Sequence, residues 1–344
     1  MKKQDADARR HFLKAGIAAA GTALWSGTFF QSIAAAAGQN LPPAEAGAIG
    51  RRELLEGLDG MSRVAEAHNT FVGGHTAAAV MASAFFCREQ KLDDKTQKEI
   101  LSLIETRLLK KSIYAPRPKE PADPVLIDSL VKDLDAGVDT LRQSGHNIIF
   151  TNICLKALRE VPDAATPGRI DGLRKMVQSF GHGKSSEGPS LENKNTFVDL
   201  RDETKFIHFV FEEYLKAMGL YRNGRGYHGF AGHLLTAGHA LVELHRMGYR
   251  DTAEKGVEAY WQFVKEARDG ADLGGERVVS APVHAPTPLV QDYWIGQEQH
   301  QSGDIVTSHL VKYPYSFFAL AKELRDDSLR QRVLDSIYYL TAVS

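Results

Sequence analysis

The sequence predicts an all-α protein: a single helical domain whose helix pairs surround a central cavity, in the manner of an α-toroid. Three observations predict this. Apolar residues recur at three- and four-residue intervals along most of the chain, and strand-like alternation is confined to one weak candidate, Val278 to Val283. Pro and Gly interrupt these runs at helical lengths. Four times, a histidine preceded by Gly or Ser opens a nearly uncharged run rich in small residues: Gly74-His75, Gly145-His146, Gly232-His233 and Ser308-His309.

In chain order, residues 1–37 read as an export signal of the twin-arginine type. Arg9-Arg10-His11-Phe12-Leu13-Lys14 fits that pattern apart from a missing Ser or Thr before the arginines, and a modestly hydrophobic stretch runs on to Ala34-Ala35-Ala36-Ala37. Cleavage there would leave residues 38–344 as the helical domain, delivered folded to the periplasm or secreted, with the export machinery as a transient partner. Retention as an uncleaved anchor is the weaker alternative, because its glycines and alanines make a poor stop-transfer helix.

Arg51 to Ala67 is amphipathic through Leu54, Leu55, Leu58, Met61 and Val64. Helices follow over His75 to Cys87, Asp94 to Leu109, Pro124 to Ser144, His146 to Val161 and Arg169 to Phe180. Further helices span Arg201 to Met218, His228 to Met247, Asp251 to Ala267, Ser308 to Leu324 and Ser328 to Val343. Stop signals lie at Pro116–Pro124, Pro162–Pro167 and Gly181–Pro189. The long connection from Gly270 to Ile305 carries His284, Tyr293, Trp294 and His300, and reads as a lid over an aromatic substrate.

Net charge is −1, which argues against nucleic acid or an anionic membrane as partner. The two cysteines, Cys87 and Cys154, form no Cys-x-x-Cys pair and read as buried thiols. No Gly-rich dinucleotide fingerprint follows a strand, so a bound nicotinamide or flavin is not expected; NADPH as an external reductant stays open. Oligomeric state is not readable.

Positions 75, 146, 233 and 309 leave gaps of 71, 87 and 76 residues, the spacing of a coarse repeat. A single histidine at a helix start has a structural use, since its ring can bond backbone or water. Four placed alike suggest convergence, and buried imidazoles need partners that a metal ion provides. Lys312 stands in the otherwise uncharged run from His309 to Ala321, three residues after His309. Either it snorkels or pairs with a carboxylate, or it is a buried amine inclined to lose its proton. Pro314 suggests that this stretch is a helix entry rather than a regular turn. His239 and His245 are off the ligand register and read as structural or exposed; His182 and His208 read as structural.

The run Gly226-Tyr227-His228-Gly229-Phe230-Ala231-Gly232-His233, with Ala240-Leu241-Val242-Glu243 and then Glu258-Ala259-Tyr260-Trp261, resembles the questin oxidase-like family. Gly74-His75 and Thr307-Ser308-His309 resemble that family's early and late histidine helices, with Gly74 standing where the family has Asn. The resemblance covers roughly residues 68 to 340. It implies an oxygen-dependent enzyme that cleaves a ring carbon–carbon bond of an aromatic, quinone-like molecule. It also implies non-haem iron held by His75, His146, His233, His309 and a carboxylated Lys312. His228 competes with His233 for the third place and otherwise faces substrate, which makes His228 and Lys312 the candidate catalytic residues. An all-imidazole shell with one anionic oxygen suits iron. Phe71, Phe85, Phe86, Phe150, Tyr293, Trp294, Tyr313 and Tyr315 could line a cavity for an aromatic guest.

Three rival readings use the same residues. A haloperoxidase-like phosphatase would use Lys110, Arg117-Pro118 and Ser144-Gly145-His146, but its third motif fails, with Tyr221 for Ser and Gly232 for Asp. A periplasmic α-toroid lyase or hydratase would set the histidines beside Glu212, Glu213 or Glu243 as acid and base. A haem- or metal-binding carrier would need no catalysis at all.

Overall fold

The helical periodicity becomes twelve α-helices in the computed structural model, which describes residues 49–181, 198–218, 221–222, 225–226, 228–269, 286–299 and 303–341. They are α1 (Arg51–Met61), α2 (Thr70–Glu89), α3 (Asp94–Leu103, continued by a π turn over Ile104–Leu108), α4 (Ile127–Asp135), α5 (His146–Glu160) and α6 (Pro167–Ser179). Then follow α7 (Glu203–Met218), α8 (His228–Arg246), α9 (Arg250–Asp269), α10 (Gln291–Trp294), α11 (Asp304–Ala321) and α12 (Asp327–Thr341). The sequence gives no signal for the one hairpin, β1 (Tyr221–Arg222) with β2 (Arg225–Gly226), which pairs Tyr221 with Gly226 and Arg222 with Arg225. All of these elements fall within one unit, Pro42–Ser344. The Val278–Val283 strand candidate and the 1–37 signal lie outside the described residues.

Composition decides which helices go inside. In α2 every residue from Gly73 to Cys87 is buried, in α5 every residue from His146 to Leu155, and in α11 every residue from Leu310 to Ala321. A helix apolar on all sides must be surrounded. These three and α8 close a ring, with α2 against α5 and α11, and α8 against the same two. The amphipathic helices lie outside it: α1 on α2, α7 and α9 on α8, α12 on α11, and α4 on α5 and α6. The all-α single domain expected from the sequence thus has a four-helix inner ring and an unevenly populated outer layer. By length and composition α2 could cross a membrane, but 83% of its apolar window is buried, as in the core helix of a globular domain.

Contacts at both ends show that the four inner helices run in the same direction. Their histidines meet near the N-termini, while near the C-termini Lys156 of α5 holds Glu89, the last residue of α2, and Glu243 of α8, each at 2.6 Å. The Lys156 ammonium also donates to the Tyr315 hydroxyl of α11 at 2.8 Å. Parallel helices bring their negative ends together, so a cation belongs there.

Several boundaries differ from the sequence reading, for local reasons. Asn69 Oδ1 accepts from the Gly73 N–H and starts α2 at Thr70, so Gly73 and Gly74 are interior rather than a break. The expected 124–144 helix ends at Asp135, where the Asn147 amide takes up the carbonyls of Gly137 and Thr140. Pro314 sits inside α11 rather than at its entry. Of the lid, Trp294 is core: it is fully buried against Phe86 and donates to the Pro288 carbonyl at 2.9 Å. Tyr293 stands edge-on to it, 4.9 Å away. His284 and His300 lie outside the described residues.

Candidate metal centre

Three of the four histidines share one register. His75, His233 and His309 are each the sixth residue of their helix, while His146 is the first residue of α5. The expectation that all four open a helix therefore holds for His146 alone. The residues before them explain why. A Cβ on Gly74 would lie 2.4 Å from the Phe150 ring, and one on Gly232 would lie 2.2 Å from the Tyr313 ring. Gly145 has φ +90°, a conformation that L side chains rarely adopt. Two of the glycines let an aromatic ring approach the backbone beside the histidine, and the third makes the turn into α5.

The imidazoles then converge. His146 Nε2 lies 2.9 Å from His75 Nε2 and 3.1 Å from His233 Nε2. One nitrogen each from His75, His233 and His309 lie within 4.8 Å of one another. His309 stacks on Tyr313 with ring centres 4.2 Å apart, and its Nε2 is buried without a hydrogen-bond partner. His75 and His146 are essentially inaccessible to solvent.

Hydrogen bonds on the far side of two rings fix their tautomers. His75 Nδ1 contacts the Phe71 carbonyl at 2.7 Å, and His146 Nδ1 contacts the Gln143 carbonyl. A carbonyl only accepts, so each Nδ1 must carry the proton, and each Nε2 of a neutral ring presents a lone pair. The 2.9 Å contact therefore sets lone pair against lone pair. A shared proton or a cation relieves this, and protonation is disfavoured. Burial pushes the His75 imidazole down to about 2, with nearby Lys312 adding to the effect. Burial also lowers His146 and His309, followed by His233 and Lys312 at His146, and by Lys312 and the other histidines at His309.

The spacing fits a metal. Adjacent nitrogens on an octahedral ion with bonds of about 2.1 Å stand about 3.0 Å apart, against about 3.4 Å in a tetrahedron. The carbonyls behind His75 and His146 supply the outer hydrogen bonds that metal-bound imidazoles commonly have.

Lys312 is buried in the regular interior of α11, one turn beyond His309. Its ammonium faces the Phe150 ring at 5.4 Å and has no hydrogen-bond or ion-pair partner among the described residues. Burial pulls it down to about 7. Neither snorkelling nor pairing with a carboxylate accounts for it. With four helix N-termini on the same side, the centre is electropositive and favours an anionic ligand beside any cation.

His228 is the first residue of α8 and precedes His233 by five residues. His233 is the one that reaches the cluster; the His228 side chain lies outside what is described. Among the aromatic candidates, Phe71, Phe150 and Tyr313 touch the histidines. Phe71 is 40% exposed and meets His75 and His146 edge-on at 4.7 and 5.1 Å, so it sits at the rim. Phe85, Phe86 and Tyr315 belong to the opposite half of the ring, with Phe85 and Tyr315 beside Lys156. His239, expected to be structural or exposed, is buried, with Nδ1 3.0 Å from Ser316 Oγ. His245 and His208 lie near carboxylates away from the centre, and His182 is outside the described residues. Cys87 and Cys154 are free and buried, as expected.

Residues that two of the rival readings would use are engaged elsewhere. Glu243 pairs with Lys156 at the far end, ten residues or about 15 Å along α8 from His233. Glu213 binds Lys216, and Glu212 lies near His208. The Arg117 guanidinium is committed to Ser62, donating to its hydroxyl at 2.9 Å and its carbonyl at 2.6 Å. No family model, curated protein or solved structure matches this chain.

Proposed function

We propose that the protein is a metal-dependent oxidoreductase, an oxygenase that uses non-haem iron and O2 on an aromatic or quinone-like small molecule, with ring carbon–carbon cleavage as its reaction class. The observation that carries this reading is the contact between His75 and His146, in which two rings with tied Nδ1 protons oppose their Nε2 lone pairs. His75, His146, His233 and His309 would hold the ion, the His146 Nε2 lying 2.9 Å from that of His75 and 3.1 Å from that of His233. Neutral imidazoles suit a redox-active first-row metal, and no carboxylate joins the group among the described residues.

Bound iron would supply the redox chemistry with O2. The chain's own residues do the rest. Phe71 at the rim offers an edge or face to an aromatic guest, and Phe150 and Tyr313 wall the histidines off from water. Lys312, which burial pulls down to about 7, accepts a proton in its neutral form or, as a carbamate, contributes an anionic oxygen to offset the positive surroundings. An external reductant such as NADPH enters only if one oxygen atom is incorporated. Export of the folded, loaded protein by the twin-arginine route is part of the proposal.

Elemental mass spectrometry of anaerobically purified protein, with His75→Ala and His309→Ala, tests the centre. Near-stoichiometric iron lost in both variants, followed by oxygen uptake with quinones or phenols, supports the reading. A folded wild type without metal overturns it, and zinc alone moves the chemistry to hydrolysis or lyase reactions.

A further inference from the structure

One to two helical turns beyond the histidines, inside the same ring, lies a second polar layer. The inner-ring residues three and six or seven positions after each histidine line a chamber of about 20 Å³. Its polar members are Asn152 of α5, Thr236 and His239 of α8, and Lys312 and Ser316 of α11. All five are at most 4% exposed. A site for one water needs roughly 10–15 Å³ and two to four polar partners, whereas cavities that stay dry are apolar. This chamber meets both conditions.

Its lining also contains polar atoms with nothing to bond. Asn152 Oδ1 and His239 Nε2 are buried and have no hydrogen-bond partner. A buried amide oxygen left unpaired is costly, and native interiors rarely keep one. The opposite wall offers the Lys312 ammonium and the Ser316 hydroxyl.

We propose that this chamber is a binding site for one ordered water molecule, which donates to Asn152 Oδ1 and bridges to Ser316 Oγ beside Lys312. The water stands at the head of a chain already in place. Ser316 Oγ meets His239 Nδ1 at 3.0 Å, and His239 Nε2 faces Glu243 Oε1 at 3.8 Å. Glu243 is held by Lys156, which also holds Glu89 at the partly exposed end of the ring. The water thereby connects the Lys312 layer with the ion cluster at the C-terminal ends, independently of any metal at the histidines.

The test uses the full-length protein, metal-free, with its alanine methyl groups isotopically labelled. Ala78 and Ala82 line the chamber, so a resident water gives them water-to-methyl Overhauser effects characteristic of a long-lived buried water. Asn152→Leu is expected to abolish these effects and lower the melting temperature. A wild type without them, together with an Asn152→Leu variant that melts higher because an unpaired amide has been removed, overturns the proposal. Effects that persist in Asn152→Leu overturn the assignment of Asn152 as the anchor. Should that variant fail to fold, the wild-type effects and a density peak at the chamber in a high-resolution crystal structure decide the matter alone. Because all of this is read without metal, it stands or falls separately from the oxygenase reading.

Discussion

His309→Ala separates a metal-binding role for the cluster from mere packing. The truncation removes a ring stacked on Tyr313, an interaction worth about 0.5–1.5 kcal/mol, and leaves no hydrogen-bond partner stranded, since His309 Nε2 has none. Including the space left behind, the metal-free protein should lose about 2–3 kcal/mol. Metal affinity should fall much more steeply, because losing even an outer partner of a ligand costs about 10–100-fold. Wild type at a metal concentration near 100 times Kd gains about 2.7 kcal/mol, raising Tm by about 4 °C for a domain of this size. The assay is thermal denaturation by circular dichroism with and without anaerobic Fe(II). The wild type should show that shift, His309→Ala less than about 1 °C, and His239→Ala, which alters the chamber rather than the cluster, the full wild-type shift. A His309→Ala protein that keeps the metal-induced shift would refute the shared-site reasoning.

His146→Ala should lose metal, measured by elemental analysis, with little change in helicity; undiminished metal would limit the centre to the other three histidines. Gly232→Ala forces a Cβ to 2.2 Å from the Tyr313 ring, so it should cost about 1–3 kcal/mol in denaturant unfolding and weaken metal binding by displacing Tyr313. His239 gives a pH signature. Burial lowers it from 6.5 to about 3, so between those values the unfolded chain binds the proton and the native state does not. Stability is therefore lost as pH falls from 6.5 towards 3, about 2 kcal/mol of it by pH 5. Urea titrations of His239→Gln should show a shallower decline over that window, and an unchanged decline would exclude His239 as a contributor. Lys312→Met should stabilise the metal-free protein most at pH 7 and progressively less towards pH 10.5, since the native state resists charging this amine. Equal effects at both ends of that range would show that the ammonium is not desolvated.

The helices and the convergence of the four histidines were legible in the sequence, because both rest on residue type and spacing. The nearly uncharged runs that follow the four histidines pointed to convergence, and the isolated charge at Lys312 was visible against its uncharged neighbours. The roles of the glycines were not legible. A Gly before a histidine reads as a helix start, yet at Gly74 and Gly232 it admits a ring from another helix, Phe150 or Tyr313, a fact of tertiary packing. The choice between His228 and His233 needed only the helical register of α8. That register depends on where α8 begins, which local pattern fixes poorly. His239 is the structural of the two alternatives its spacing left open, being buried and bonded to Ser316. Its positions relative to Ser316 and Asn152 come from neighbouring helices. The tautomer argument, which carries the metal reading, depends on two carbonyl contacts and could not have been made from sequence.

The shared direction of the inner helices also constrains how the histidine cluster assembles. Each inner strut is reached only after the chain has travelled back outside the ring, so cluster contacts join residues 71 and 87 positions apart. Contacts between such distant positions carry a large loop-closure cost and form late in folding. No hairpin or half-domain holds more than part of the nitrogen set. On the proposed metal reading, a ribosome-bound fragment ending before His309 lacks one of the four imidazoles, so complete metal uptake would report that the inner ring has closed.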